Sequence, residues 1–170
     1  LKNVTLKMNC TFNGSLAIEA QSGSELYIYN SNITGVNGNY HYLFWVKNGS
    51  KFEMRDSELS ECGWGVDNTG LIIEANSTYI YNCIFSNNYN GVTLFNSKNS
   101  VLSHCTVNNN SGYGVYLEHT DYNVIENINA FNNTFDGISV AFSSNNTLSD
   151  CVVFNNDCGI YLSLIHISEP

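Results

Sequence analysis

The sequence predicts an all-β solenoid, a single-stranded parallel β-helix of about seven coils of 21–26 residues, and three observations carry the prediction. First, residues 80–88 (IYNCIFSNN) return as 102–110 (LSHCTVNNN), 125–133 (IENINAFNN) and 148–156 (LSDCVVFNN), with looser copies at 28–33, 54–59 and near 7–12. A marker column of Cys10, Ser31, Ser57, Cys83, Cys105, Ile128 and Cys151 spaces these copies by 21, 26, 26, 22, 23 and 23 residues. That period is too short for a helix pair and belongs to a stacked solenoid. Second, apolar and polar residues alternate in Val92-Thr93-Leu94, Val115-Tyr116-Leu117, Ile138-Ser139-Val140 and Ile160-Tyr161-Leu162, while no useful 3.6-residue apolar face occurs. Third, a single Pro and an abundance of Asn, Ser, Thr, Tyr and Ile suit short strands joined by tight polar turns.

In chain order, residues 1–46 form the first, loosely patterned coils, with Gly14-Ser15 and Gly23-Ser24 marking turns around Leu16-Ala17-Ile18 and Leu26-Tyr27-Ile28. Coils two and three carry surplus residues at one and the same turn, between Thr34 and Tyr42 and between Ser60 and Thr69. Stacking places these insertions side by side on one edge. Beyond them the pattern is regular, each coil opening at a glycine (Gly70, Gly91, Gly114, Gly137, Gly159) where a sharp turn into a strand favours positive φ.

Strands of successive coils lie about 4.8 Å apart, so like stacks on like. Ile28, Met54, Ile80, Leu102, Ile125 and Leu148 make one apolar column, and Ile33, Leu59, Phe85, Val107, Ala130 and Val153 another. Together they imply a continuous core roughly 30 to 35 Å long. The Asn pairs at 87–88, 109–110, 132–133 and 155–156 sit at bends, where their amides bond the coil above and below and tolerate left-handed backbone. One domain, 1–163, is expected as a piece of a longer solenoid that stacks end to end on further coils or domains. Residues 164–170 leave the pattern and resemble read-through at the end of a truncated gene.

Six Lys and Arg against 15 Asp and Glu, a net charge of -9, argue against a nucleic-acid partner. No apolar run approaches the roughly 20 residues of a membrane helix. The chain opens in mid-pattern, so an export signal is expected to lie outside it.

The cysteines Cys10, Cys83, Cys105 and Cys151 read as small interior thiols rather than zinc ligands, since C-x-x-C-like spacing is lacking. Only Cys83 and Cys105 lie on adjacent coils, a separation that permits a disulfide without favouring it. No metal site and no cofactor is expected. Calcium is compatible with the acidity, but no ligand cluster is identified.

His104 stands in the column Asn9, Asn30, Asp56, Asn82, His104, Asn127, Asp150, two coils from either Asp, and reads as the exposed flank of a strand. More suggestive are two outward columns, Tyr27, Glu53, Tyr79 and Tyr29, Arg55, Tyr81, which set the chain's one Arg between aromatic rings. Sugar rings stack on aromatics while a guanidinium bonds hydroxyls or carboxylates, although aromatic ladders also stabilise sheets alone. The long turns hold Tyr40, His41, Glu61, Trp64 and Asp67, the richest aromatic and ionisable loop material in the chain.

The run from Gly91 through 105–110 (CTVNNN) and its two successors resembles the right-handed parallel β-helix repeats of the NosD-like and carbohydrate-binding/sugar-hydrolase, pectate-lyase-like group. The resemblance covers 70–162 well and 1–69 loosely. It implies a right-handed coil in an exported or cell-surface protein that binds or cleaves polysaccharide, or serves as a scaffold. The Asn-Thr-Asp, Asp-Asp and Gly-His-Gly motifs of related polygalacturonases do not occur, nor does the Asp-Pro-His-Glu of alginate epimerases. The expectation is therefore an extracellular or cell-surface β-helix that binds polysaccharide or acts as a surface scaffold, with Tyr29, Arg55, Tyr81, Tyr40 and Trp64 as ligand contacts. The alternatives are a purely structural surface-layer repeat and a polysaccharide lyase or glycoside hydrolase. In the enzyme, Asp67 or Glu61 would act as acid or base with His41 beside the long turns, Tyr40 and Trp64 serving as sugar platforms.

Overall fold

A computed structural model describes residues 1–36 and 38–163; the non-repeat tail 164–170 lies outside the described residues. The chain winds through three parallel sheets in constant order, one strand per sheet per coil. Sheet 1 runs from Thr5–Met8 to Val152–Phe154 (seven strands), sheet 2 from Ala17–Ala20 to Ile160–Leu162 (seven), and sheet 3 from Glu25–Tyr29 to Thr147–Ser149 (six). No helix occurs among the described residues. None is therefore long and apolar enough to cross a membrane.

The expected columns are in register. Ile28, Met54, Ile80, Leu102, Ile125 and Leu148 pair in line along sheet 3. Ile33, Leu59, Phe85, Val107, Ala130 and Val153 do so along sheet 1. Sheet 2 closes the core with Phe44, Leu71, Val92, Val115 and Ile138. All but the terminal Leu148 and Val153, which are half-buried, leave water almost entirely, which stabilises by about 1.5–3 kcal/mol per large residue.

Three positions depart from the sequence reading. Thr5 pairs with Asn32, so Val4, not Cys10, precedes Ser31 in the marker column, and its N–H bonds Ser31 Oγ from 27 residues away. The first coil is thus also long. Cys10 is displaced to the other end of sheet 1, beside Tyr42 and Cys62. Second, only Gly70 of the five coil-opening glycines has positive φ. The others are needed for space: a Cβ on Gly91 would lie 2.2 Å from Val107 Cγ1, and one on Gly114 would lie 2.4 Å from the Gly137 carbonyl. Third, the left-handed corners fall to side chains. Asn30, Asp56, Asn82, His104, Asn127 and Asp150 all have φ between 48° and 56°, so His104 lies in a turn rather than along a strand. Asn and Asp accept that conformation most readily after Gly.

The next residue repairs the corner. Ser31, Ser57, Cys83, Cys105 and Cys151 each turn a hydroxyl or thiol back to the carbonyl two residues earlier, for example Ser57 to Arg55 at 2.6 Å and Cys83 to Tyr81 at 3.2 Å. All six cysteines are free, Cys83 and Cys105 included. The hydrogen bond with Cys83, and then burial, hold the Cys105 thiol far above its ordinary pKa, so it stays protonated and inert.

At the opposite corner the second Asn of each pair forms a ladder. Asn88, Asn110 and Asn133 each donate their backbone N–H to the next Asn Oδ1, at 2.9, 3.2 and 2.9 Å. Their Nδ2 groups bond the Leu59, Phe85 and Val107 carbonyls. The first Asn of each pair takes the left-handed turn. A second ladder, Ser100 to Asn123 to Asn146, holds the corner between sheets 2 and 3.

Asn133→Ala strips a buried amide that makes four hydrogen bonds to three residues and is expected to lower unfolding free energy by about 2–3 kcal/mol. The exposed neighbour Asn132, replaced by Gly, is expected to change it by less than about 0.5 kcal/mol, since Gly adopts the same φ. Urea denaturation of both variants checks the contrast.

Candidate functional site

The long turns form a stacked edge between sheets 1 and 2, and the first coil adds a third to the two expected. His41 N–H bonds Asn13 Oδ1 of that first turn at 2.9 Å. Buried Tyr42 ties the edge down, its hydroxyl meeting the Ile33 and Ser60 carbonyls at 3.2 and 3.1 Å. Burial raises its pKa well above the usual phenol value, so the hydroxyl remains a donor.

This stacking separates the five turn residues singled out from sequence. Trp64 lies over the first turn, where a Cβ on Gly14 would come within 2.7 Å of its ring. Glu61, at positive φ, packs against Gly35 of the neighbouring long turn. Tyr40 is exposed at the turn tip, and His41 is half-buried with its Nδ1 enclosed. Asp67 goes elsewhere, over the outer face of sheet 2.

There a groove of about 370 Å³ opens, lined by Trp45, Val66, Asp67, Thr69, Ile72, Glu74, Thr93, Phe95, Tyr116 and Glu118. Its floor is the outward column Trp45, Ile72, Thr93, Tyr116, paired in register across four coils. Its wall is the third long turn, folded back by an antiparallel bridge between Gly65 and Asn68 and by Trp64 N–H bonding the Asn68 carbonyl at 2.8 Å. A sheet 2 without that turn would be flat.

The floor is held rigidly. Thr93 Oγ1 lies 2.9 Å from Thr69 Oγ1 and accepts from Asn90 Nδ2 at 3.1 Å. The Tyr116 ring stacks on Tyr113 with centroids 4.8 Å apart, and Phe135 meets Tyr113 edge-on at 5.3 Å. Lys47 lays its ammonium over the Trp45 ring, 2.7 Å from the centroid. Desolvation, then the nearby Glu118 carboxylate, pushes the Tyr116 phenol up to about 12.

The other expected surface lies on the outer face of sheet 3. Tyr29, Arg55 and Tyr81 pair in one column and Tyr27, Glu53 and Tyr79 in the next, as the spacing predicted. The Arg55 guanidinium sits over Tyr79, 4.6 Å from its centroid, with its Nε on the Glu53 carboxylate. Tyr81 meets His104 at 5.0 Å, and His104 Nδ1 lies 2.6 Å from Ser103 Oγ. This strip is flat and its charge is internally matched.

Sequence reasoning found Asp67 but missed Trp45, Glu74, Phe95, Tyr116 and Glu118. The signal was present: the middle residue of each sheet 2 strand alternates outward, and reading that column would have put Trp45 and Tyr116 on one face. Among the described residues no group of three or more His, Cys, Asp or Glu is arranged to hold a metal.

A family model described as right-handed β-helix region matches residues 17–164. The chain belongs to the right-handed β-helix family. Curated protein sequences yield no significant match. Among solved structures, this β-helix is similar to the Dettilon tailspike protein gp208, with TM-score 0.62 and 12% identity over 97% of the chain and 41% of the tailspike. It is also similar to a mutant of the periplasmic alginate epimerase AlgG, with TM-score 0.65 and 14% identity over 99% of the chain and 57% of the epimerase. The chain thus spans about half the length of these relatives, and the likeness is one of fold.

Because the folded pKa of Tyr116 is raised, the stability it contributes is complete below the ordinary phenol value near 10 and is lost as pH rises toward 12. Denaturation midpoints between pH 9 and 12 are expected to fall more steeply for the wild type than for Tyr116→Phe.

Proposed function

We propose that this β-helix is a polysaccharide-binding module of an exported or cell-surface protein, and that it lays an extended glycan along the sheet 2 groove. The carrying observation is the groove itself: aromatic residues on its floor and rim, Trp45, Phe95 and Tyr116, alternate with hydroxyls and carboxylates at coil spacing. Sugars present an apolar face to aromatic rings and hydroxyls to polar groups, so this mixture suits them. From Trp45 to Tyr116 is three coil steps, roughly 14 Å by strand spacing. An extended glycan advances by about one coil spacing per sugar, so about three rings fit. An epimerase named for alginate shares this fold, which supports polysaccharide as the ligand class and says nothing of the charge this groove prefers. An NosD-like affiliation, location outside the cytoplasm and continuation into further stacked coils belong to this reading.

A second reading, cleavage, draws on the carboxylates. Glu74 and Glu118 occupy one outward column two coils apart, roughly 10 Å by strand spacing. That is near the separation used by inverting glycosidases, with Asp67 on the facing wall.

Affinity electrophoresis against a polysaccharide panel, run beside a reducing-sugar assay, tests both. Binding is expected without turnover and is expected to weaken roughly tenfold in Trp45→Ala or Tyr116→Ala. Loss in Arg55→Ala with Trp45→Ala unaffected would move the site to the sheet 3 strip. Turnover abolished by Asp67→Asn would establish the enzyme, and no retention on any glycan would leave the scaffold.

A further inference from the structure

We infer that the sheet 2 groove takes a glycan without carboxylates and favours one carrying free amino groups, excluding the uronates; this rests on the groove being the glycan site. The argument is a census of charge around one cavity. Three carboxylates line it, Asp67 from the wall and Glu74 and Glu118 from the rim column that also holds Phe95, and no Lys or Arg does. A fourth carboxylate, Glu19, continues the floor column beside Trp45.

Of the chain's six cations, Lys7 stands on sheet 1 and Lys2 is bridged to Tyr29 beside sheet 3, both away from the groove, and the other four are engaged in contacts. Its one Arg, Arg55, is on sheet 3 against Glu53. Lys51 binds Glu25 at 2.6 Å and Lys98 binds Asp121 at 3.1 Å. Lys47 is the nearest to the groove, and its ammonium is held on the Trp45 ring. A polyuronate would bring one negative charge per sugar into this row of carboxylates, where the Lys47 ammonium on the Trp45 ring is the one cation beside three or four carboxylates. Clefts lined by one sign of charge concentrate the opposite ion and repel their own.

The same carboxylates are well suited to other sugars. Each ionised oxygen accepts from a sugar hydroxyl, and a protonated amine on every ring would match the coil-by-coil repeat of charge. Because the carboxylates are partly exposed, the selectivity is electrostatic in origin and screened by salt.

Isothermal titration of the 170-residue chain with the hexasaccharides of chitosan, cellulose and alginate at pH 6 and low salt tests this. The expected order is chitosan tightest, cellulose weaker and alginate undetectable, with the chitosan advantage shrinking in 0.5 M salt. In Glu74→Gln/Glu118→Gln, with folding checked by circular dichroism, chitosan affinity is expected to fall roughly fivefold toward that of cellulose. Alginate binding as tightly as chitosan would overturn the selectivity while leaving the glycan site intact, as would an unchanged chitosan affinity in the double variant. If none of the three binds, while the fold is intact, the glycan site itself is wrong.

Discussion

Every coil of this protein must bond to a near copy of itself, and that constraint governs the rest. A parallel strand lying on its equivalent satisfies backbone groups along the flats, but not at the corners, where the chain bends. The corners are closed by side chains that serve as donor and acceptor to their own counterparts: Asn110 gives its N–H to Asn133, which gives its own to Asn156. A ladder of this kind works only when the residue recurs at the same place, which is why Asn returns there although it buries poorly on its own. Where the ladder reaches the long turns, Cys62 N–H still finds Asn88 Oδ1, and Tyr42 then takes over as the buried tie.

The same constraint explains why chemistry gathers where the repeat is broken. At the corners, residues that stack in register serve the neighbouring coils with their polar groups, whereas the outward column of sheet 2 stays open to a ligand. The hydroxyls and thiols of Ser57, Cys83 and Cys105 spend their hydrogens on closing their own corners. An insertion has no such obligation. The third long turn folds across sheet 2 and converts a flat face into a groove, bringing Asp67 opposite Glu74 and Glu118. The regular sheet supplies rigidity, and the irregular turn supplies concavity.

The interior was legible from the sequence because an inward column in a parallel stack is apolar at every level. Ile28 through Leu148 could be aligned by eye, and the register confirmed each pair. The first coil was not legible, since its strand Thr5–Met8 lacks the Asn pair and its turn is longer, so Cys10 seemed to continue a column that Val4 in fact occupies. The glycines were located correctly for another reason than the one that holds. Gly91 and Gly114 are required by a neighbouring coil's atoms, and a clash between residues some twenty positions apart leaves no local trace. The outward strip Tyr29, Arg55, Tyr81 was aligned correctly because it too is a column.

By itself, then, the sequence determined the period, the stacked coil, the apolar columns and the Asn corners, because each repeats and repetition survives in one dimension. The tertiary structure decided the rest. It placed Trp64 and Glu61 against neighbouring turns, sent Asp67 to the other side of the edge, and assembled the groove from Trp45, Glu74, Phe95, Tyr116 and Glu118, which come from four successive coils. The path of an inserted turn depends on what it packs against in the coils above and below, and those contacts exist only once the coils have stacked.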